Sequence, residues 1–335
     1  MAFWREWQRR RGAGNFVLLP AATVFGAAAS IRRAAYRAGV FSRTNIGVPV
    51  VIVGNITAGG GGKTPLVIAL TEELQHRGFR PGVAARGYGG DFSGSLLITG
   101  ETSWRQCGDE PLLIFNRTGA PVCVCKDRVR AAQTLAEAGC DIVICDDGMQ
   151  HYALCRDMEI CAVSAGFGTG NGWLLPAGPL REGAWRLKQC DFVVCTGEGE
   201  HCPPRSLSAT MTVDGFYSLS SPDNLKTAAE FVDKTIAAVA GIADPQKFFD
   251  SLRGTGVNPR QTHPLPDHGL MDERTLSDID AEVIIMTEKD GLKYSSSDSR
   301  LHAMRVSLTL PPPLADEAAK KITEFEQNRR KMESC

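Results

Sequence analysis

The sequence predicts an α/β fold in two parts: a core with a mostly parallel sheet flanked by helices, and a smaller C-terminal α/β domain. Three observations support this prediction. A β-branched run at residues 50–53 leads into four consecutive glycines and a Lys-Thr pair. Short apolar strands then alternate with helical patterns, which is typical of βαβ units. The periodicity weakens before a second such series begins. The predicted segments are 1–47, a core at 48–205, a linker at 206–234, and the smaller domain at 235–335.

The glycine-rich stretch after the first strand predicts a phosphate-binding loop, and with it a P-loop NTPase core. Glycines let backbone N–H groups point at one place, and Lys63 and the next helix would help them to cradle a polyphosphate such as ATP. The Thr64 hydroxyl would join the shell of a magnesium ion. Thr57 stands where the strict pattern has its first glycine, so a flexible turn is the alternative. The order of strand, glycines and helix favours the loop. The nucleotide-binding residues predicted here are Thr57, Gly59, Gly60, Gly61, Gly62, Lys63 and Thr64.

The composition excludes several classes of protein. With 335 residues, the chain is long enough for two domains. Its formal net charge of −1 provides no overall positive field, so we predict no nucleic-acid partner. Its 11 cysteines are scattered and include no C-x-x-C pair. This spacing disfavours a zinc site and a disulfide scaffold, and we expect reduced thiols.

The first 47 residues combine arginines with apolar residues. An apolar run at 16–29 follows Arg9, Arg10 and Arg11, and further arginines continue the pattern. Three interpretations are open: a secretory signal cleaved after Ala29, a helix packed on the core domain, and a segment lying on a membrane surface. The run is too short to span a bilayer, and a phosphate loop needs cytosolic ATP. We therefore favour contact with the inner-membrane surface, where each arginine would contribute about 1 kcal/mol.

Polar residues follow several predicted strands, at the end of a parallel sheet where loops face the ligand. Arg86 follows the second strand of the core and is a candidate phosphate contact. Asp146 and Asp147 follow a later apolar strand, and one of them would order a magnesium ion or its water. The glycine after this pair turns the backbone, which would bring His151 near the phosphates.

Three other groups of polar residues are candidates. Asp109 and Glu110 precede a proline, and they either favour a helix start or supply a catalytic base or a metal-shell acid. Arg181 lies in a loop rich in proline and glycine and could neutralise phosphate charge. Glu288 and Asp290 belong to a T-E-K-D sequence that resembles base-reading loops, in which the aspartate accepts hydrogen bonds from ring N–H groups.

Taken in order, these motifs resemble those of the tetraacyldisaccharide 4′-kinase family, which acts in the lipid A pathway of Gram-negative bacteria. The resemblance covers nearly the whole chain. The matching segments are Val53-Gly54-Asn55-Ile56-Thr57, Gly59-Gly60-Gly61-Gly62-Lys63-Thr64-Pro65, Arg86-Gly87-Tyr88-Gly89, Gly108-Asp109-Glu110-Pro111, Asp146-Asp147-Gly148-Met149-Gln150-His151, Leu174-Leu175-Pro176-Ala177-Gly178-Pro179-Leu180-Arg181-Glu182, Asp267-His268 and Thr287-Glu288-Lys289-Asp290.

The resemblance implies transfer of the γ-phosphoryl group of ATP to the 4′-hydroxyl of a tetraacylated glucosamine disaccharide 1-phosphate, at the cytoplasmic face of the inner membrane. ATP and Mg²⁺ would be the cofactors, and no obligate protein partner is implied. Asp109 would accept the hydroxyl proton, and His268 would raise its basicity once domain closure assembles the site. The implied magnesium shell is drawn from Thr64, Asp146, Asp147 and Glu110. The implied contacts to phosphate or substrate are Arg86, Arg128, His151 and Arg181.

Two other classes remain open. One is a P-loop ATPase or synthetase that acts on a small soluble substrate, for which the N-terminal segment would be dispensable. The other is a nucleotide-switched binding protein, which would hydrolyse nucleotide slowly without an acceptor and would tend to dimerise.

Overall fold

The computed structural model describes residues 7–294 and 297–333, which form two sheets with flanking helices. The strands of the first sheet are β1 (Val50–Gly54), β2 (Pro81–Ala85), β3 (Ser95–Leu97), β4 (Val122–Cys125), β5 (Ile142–Asp146), β6 (Met158–Ser164), β7 (Phe192–Thr196) and β8 (Leu207–Ala209). Their order is β3-β4-β2-β5-β1-β6-β7-β8. Every pairing in this sheet is parallel except that of β3 with β4.

Helices cover both faces of this sheet. They are α1 (Ala13–Val17), α2 (Leu19–Arg37), α3 (Lys63–His76), α4 (Trp104–Cys107), α5 (Asp109–Thr118) and α6 (Arg128–Glu137), with a 3₁₀ turn at Ala184–Gln189. Successive residues of β1 point to opposite faces, so Val51 and Val53 pack in one core cluster while Val50 and Ile52 pack in the other. A strand buried on both faces explains the unbroken β-branched run in the sequence.

The second sheet and its helices form a smaller α/β unit. Its strands are β9 (Met211–Ser218), β10 (Ser221–Lys226), β11 (Ile236–Ala240), β12 (Gln261–Pro264), β13 (Val283–Thr287) and β14 (Leu301–Leu308). They lie in the order β10-β9-β14-β13-β11-β12, with β9 and β10 antiparallel to their neighbours. The helices that follow are α7 (Pro245–Gly254), α8 (Glu273–Ser277), α9 (Glu288–Gly291) and α10 (Pro312–Glu333), with a 3₁₀ turn at Ala228–Phe231. The predicted α/β fold with a mostly parallel core sheet is confirmed.

The stretch predicted as a linker, 206–234, is not one in the structure. β8 closes the edge of the first sheet, and β9 and β10 extend the second sheet. β10 is polar and exposed along nearly its whole length, so it carries no hydrophobic alternation that a sequence pattern could reveal. Edge strands of this kind are defined by backbone pairing rather than by burial.

The C-terminal helix α10, assigned from the sequence to the smaller domain, packs on the first. Leu314, Ala318 and Ile322 are spaced one turn apart and belong to the core cluster that covers α3. An ion pair of 2.8 Å between Arg77 Nη1 and Asp316 Oδ1 supports the same contact. The chain therefore crosses to the second sheet and returns to the first domain.

The cysteines depart from the expectation of reduced thiols at one pair. Cys195 and Cys202 are joined by a disulfide with their Cα atoms 5.7 Å apart. The other cysteines in the described part of the chain are free, and most of them are buried. The disulfide joins the end of β7 to the loop that follows it. The spacing of the cysteines along the sequence does not reveal that these two lie close together.

Candidate active site

The glycine-rich loop joins β1 to α3 in the manner of a phosphate-binding loop. Gly62 precedes the helix with a φ of 72°, and a Cβ there would lie only 2.7 Å from the Thr196 hydroxyl. That hydroxyl donates a hydrogen bond of 3.1 Å to the Gly61 carbonyl. Lys63 begins the helix, and its Nζ lies 3.4 Å from Asn55 Oδ1. A glycine is therefore required at this turn, and the lysine is aimed across the loop.

The loop rich in proline and glycine, which the sequence predicts to line the site, pairs with the phosphate loop through its backbone. Thr57 is buried and pairs with Leu180 in an isolated antiparallel bridge. Ala58 donates its N–H to the Pro179 carbonyl at 2.7 Å. The next residues carry Arg181 into the site. The threonine that replaces a glycine in the strict loop pattern is thus a structural residue held by backbone pairing.

Two cations converge on Asp147. Lys63 Nζ lies 2.8 Å from Asp147 Oδ1, and Arg181 Nη1 lies 3.1 and 3.0 Å from the two carboxylate oxygens. Burial alone would raise the pKa of Asp147, but the charges of Lys63 and Arg181 outweigh it and hold this pKa far below its usual range. Asp147 is therefore ionised and holds the Lys63 and Arg181 side chains in place.

The neighbouring Asp146 has the opposite environment. It ends β5, is 5% exposed, and its Oδ1 has no hydrogen-bond partner among the described residues. Burial first, and then the charge of Glu110, raises the pKa of Asp146 to about 7. An unpaired buried carboxylate oxygen is costly unless a cation or a proton satisfies it. The Asp146 carboxylate therefore fits a hard divalent cation such as Mg²⁺. This ion takes one or two carboxylates and completes its shell with waters and phosphate oxygens.

No group of three or more His, Cys, Asp or Glu side chains suited to a metal ion occurs in the described part of the chain. Thr64 follows Lys63 in the first turn of α3, on the loop side of the site. Glu110 is engaged with Lys289, whose Nζ lies 3.0 Å from Glu110 Oε1.

Asp109 and His268, predicted to act together from different domains, are in contact. Asp109 begins α5, and His268 lies in the loop after β12 with a φ of 60°. His268 Nδ1 lies 3.1 and 3.0 Å from the two oxygens of Asp109. Burial would raise the pKa of Asp109, but the hydrogen bond from His268 and the charges of Lys289 and Lys293 lower it. The prediction that His268 raises the basicity of Asp109 is therefore wrong, because this hydrogen bond stabilises the ionised carboxylate. The same hydrogen bond raises the pKa of His268.

Because Asp109 is ionised and accepts, His268 Nδ1–H is the donor in this pair. The two domains therefore meet at this pair, and the assembly of the site by domain closure stays a prediction.

Two lysines that the sequence analysis did not single out flank Asp109. Lys293 Nζ lies 3.3 Å from Asp109 Oδ2, and its side chain is 1% exposed. Lys289 Nζ lies 3.8 Å from Asp109 Oδ1 and 3.4 Å from His268 Nε2. Lys289 directly follows the T-E pair and Lys293 lies four residues later, a spacing that places two side chains on one face of a helical turn and could have drawn attention.

A group of cations surrounds His151. Arg128 is 1% exposed and donates to the Cys125 carbonyl at 2.7 Å, while its Nε has no partner among the residues described. Burial first, and then the charges of Arg128 and Arg86, lowers the pKa of His151 to about 4. His151 is therefore neutral at pH 7, and the region around it is electropositive. Such a region suits an anionic ligand.

The T-E-K-D sequence has a structural role in place of the base-reading role we expected. Both oxygens of Asp290 are engaged: Oδ2 accepts from Gly241 N–H at 2.9 Å and from the Thr287 hydroxyl at 2.7 Å, and Oδ1 lies 3.0 Å from Lys293 Nζ. Glu288 pairs with Arg117 at 2.8 Å. Asp290 and Glu288 are 1% and 7% exposed, so burial keeps both away from a nucleobase, although Glu288 Oε1 has no partner among the described residues.

A family comparison and a structural comparison place this site among known proteins. A family model described as "Tetraacyldisaccharide-1-P 4'-kinase" (LpxK) matches residues 14–323. A tetraacyldisaccharide 4′-kinase of Shewanella amazonensis is 41% identical over 311 residues, covering 89% of this chain and 88% of the relative. The protein of the same name from Shewanella sp. strain MR-4 is 45% identical over 283 residues, covering 83% and 82%.

Among solved structures, LpxK from Aquifex aeolicus, described as crystallised in complex with ATP, is similar with a TM-score of 0.78. It is 25% identical to this chain, and the superposition covers 93% of this chain and 99% of the other. The similarity in sequence and in structure thus spans both domains and the site between them.

Proposed function

The chain belongs to the tetraacyldisaccharide-1-P 4′-kinase family, and from the geometry of its site we infer how its own residues perform the reaction. It is an ATP-dependent kinase of lipid A biosynthesis that phosphorylates the 4′-hydroxyl of a tetraacylated disaccharide 1-phosphate. The observation that carries the mechanism is the contact between Asp109 and His268 across the domain boundary, beside a phosphate loop.

We assign phosphate binding to the loop backbone, Lys63 and Arg181. Both cations are held by Asp147 at about hydrogen-bond distance, so their positions are set before the nucleotide arrives. When the γ-phosphoryl group transfers, negative charge spreads over its oxygens, and fixed cations stabilise that charge without reorganising. Pre-set cations of this kind lower the barrier rather than merely tightening nucleotide binding.

We assign magnesium binding to Asp146 and Thr64, with Glu110 close enough to influence the site. The support is the buried Asp146 oxygen that lacks a partner in the described chain and the depressed tendency of this carboxyl to ionise. A bound magnesium ion would neutralise phosphate charge. Asp147, already paired with Lys63 and Arg181, is the poorer ligand of the two neighbouring aspartates.

We assign Asp109 as the acceptor of the 4′-hydroxyl proton. Its lowered pKa keeps it ionised at neutral pH, and His268 Nδ1–H fixes its orientation. The hydroxyl proton passes to a carboxylate oxygen as the bond to phosphorus forms. A positioned proton acceptor of this kind usually contributes about 10²- to 10⁴-fold in rate.

We assign the electropositive region around His151 to the substrate 1-phosphate. Arg128 and Arg86 supply the positive charge, and neutral His151 can donate or accept a hydrogen bond there. Arg86 is exposed, and Arg128 is buried with an unsatisfied Nε. Because the charges of both arginines act at His151, an anion bound beside His151 would be attracted by both.

We propose that helix α2 lies on the inner-membrane surface, at its cytoplasmic face. Val24 and Ile31, seven residues apart on one face of α2, are 70% and 69% exposed. Arginines lie on the same helix, where anionic headgroups would attract them. Among the described residues, no helix combines the length and apolar character needed to cross a bilayer.

Vesicle sedimentation tests this assignment. The double variant Val24→Ser/Ile31→Ser is expected to bind vesicles with anionic lipid more weakly than the parent. Val232→Ser is the matched control, because Val232 is 72% exposed on the second domain. Equal binding by all three proteins would count against α2 as the contact surface.

A kinase assay tests the function itself. With ATP and magnesium, the protein is expected to phosphorylate tetraacyldisaccharide 1-phosphate and to leave a fully deacylated analogue nearly untouched. Turnover of the deacylated sugar at the same rate would instead favour an enzyme for soluble substrates. Slow ATP hydrolysis that no acceptor accelerates would favour a nucleotide-switched binding protein.

A further inference from the structure

We propose that Lys293, together with Asp290, is a positioning residue that holds both members of the Asp109–His268 pair in register across the domain boundary. This inference rests on the proposed function, since it concerns the same site. It gives the T-E-K-D sequence a role in the reaction without contact with substrate.

Lys293 links the two domains at the site, beside the contacts that His268 and Lys289 make with Asp109. Its ammonium lies 3.0 Å from Asp290 Oδ1, 3.3 Å from Asp109 Oδ2 and 3.3 Å from the Gly269 carbonyl. Its side chain is 1% exposed, and an ammonium so buried must find acceptors for its three protons. Here it finds three, and one of them is on the other domain.

Asp290 holds the loop that carries His268. Its Oδ2 accepts the Gly241 N–H at 2.9 Å, and the Gly241 carbonyl in turn accepts the His268 N–H, also at 2.9 Å. His268 has a positive φ, which costs a non-glycine residue free energy and persists only where neighbours enforce it. Gly269, the next residue, is fixed from the other side by Lys293.

The buried Lys293–Asp290 pair therefore fixes the positions of both the Asp109 carboxylate and the His268 imidazole. Asp109 is held directly by Lys293, and His268 is held on both sides of its backbone through Gly241 and Gly269. A lysine needed only for the stability of the second domain could find all its acceptors within that domain, as it does with Asp290 and the Gly269 carbonyl. The contact of Lys293 with Asp109 instead reaches the other domain. It indicates that Lys293 aligns Asp109 with His268.

The test is a double-mutant cycle of turnover numbers with saturating lipid and ATP. Lys293→Met removes the charge and keeps the length of the side chain. Misplacing a catalytic group by about 1 Å can cost about 10²-fold in rate. We expect kcat to fall about 10- to 100-fold, with the KM for ATP within about twofold of the parent, because Lys293 does not touch the phosphate loop.

In the Asp109→Asn background, the same Lys293→Met change is expected to alter kcat by less than about twofold, since groups that act as a unit are not additive. Equal fold-losses in both backgrounds would overturn the proposal and leave Lys293 as a structural residue. Retention of parental kcat by Lys293→Met would also overturn it. Should Lys293→Met fail to fold, Asp290→Asn takes its place in the same cycle.

Lys234→Met is the control for loss of a lysine charge, because Lys234 forms only an exposed ion pair with Glu282 at 3.5 Å. It should keep parental kcat. A parent protein with no activity toward the lipid would refute the proposed function, whereas an active parent with an additive cycle would refute this inference alone.

Discussion

Replacing Arg117 with methionine removes a guanidinium that joins the two domains at the C-terminal end of α5, the helix that begins at Asp109. Arg117 lies near the end of α5, and its Nη1 lies 2.8 Å from Glu288 Oε2 with both side chains 7% exposed. It also donates to the Val306 carbonyl and the Ser307 hydroxyl, each at 3.2 Å. Removing one partner of a buried ion pair costs about 3–5 kcal/mol, because the other charge stays buried and unpaired.

Urea unfolding measures this loss. With a slope of about 3 kcal/mol per molar, a loss of about 3 kcal/mol lowers the unfolding midpoint by about 1 M. Because α5 begins at Asp109, the variant should also lose kcat while its KM for ATP stays close to that of the parent. The double variant Arg117→Met/Glu288→Met is expected to regain most of the stability, since replacing both partners of a buried pair is often nearly neutral.

The reasoning is wrong if Arg117→Met shifts the midpoint by less than about 0.3 M, which at the slope used is about 0.9 kcal/mol, or about a third of the smallest cost expected for this pair. It is also wrong if the double variant is no more stable than the single one, because the unpaired Glu288 carboxylate is the stated cause.

Three other predictions concern the phosphate loop and the disulfide. The folded Asp146 carboxyl has its pKa raised to about 7 from a model-peptide value of 3.8, chiefly by burial, so the free energy of unfolding should fall as pH rises through that interval. Asp146→Asn lacks this loss and should be more stable than the parent at pH 8 without magnesium, although inactive as a kinase; equal urea midpoints there would contradict this. Lys63→Met leaves Asp147 without its nearest cation, and we expect steady-state kinetics to show a fall in kcat of at least about tenfold together with a raised KM for ATP, with the KM for lipid unchanged. Peptide mapping without reductant should recover Cys195 and Cys202 as one crosslinked peptide, and recovery of both as alkylated thiols would refute the pairing.

The sequence predicted the elements whose patterns depend on burial. β1, β5 and β13 are apolar runs packed on both faces, and the glycine turn after β1 has few alternatives. The exposed strand β10 and the return of α10 to the first domain were not predictable in the same way. The position of each element depends on the surface that the other elements leave for it to pack on.

The same division applies to the site. Lys63, Asp146 and Asp147 were predictable, because a phosphate loop and a strand ending in acids have fixed relative positions in a parallel sheet. Lys293 and Arg117 were not, because each acts across the boundary between domains. The sequence indicated that Asp290 contacts the nucleobase, because its motif is visible in the sequence. Its partners Gly241 and Lys293 are visible only in the structure.

The turnover of Asp109→Asn with saturating tetraacyldisaccharide 1-phosphate and ATP shows directly whether Asp109 accepts the hydroxyl proton. Asparagine keeps the shape of the side chain and its contact with His268 but cannot take up the hydroxyl proton. The account predicts a fall in kcat of at least about 10²-fold with little change in the KM for ATP. Turnover within about threefold of the parent would contradict it, because the proton would then have another acceptor.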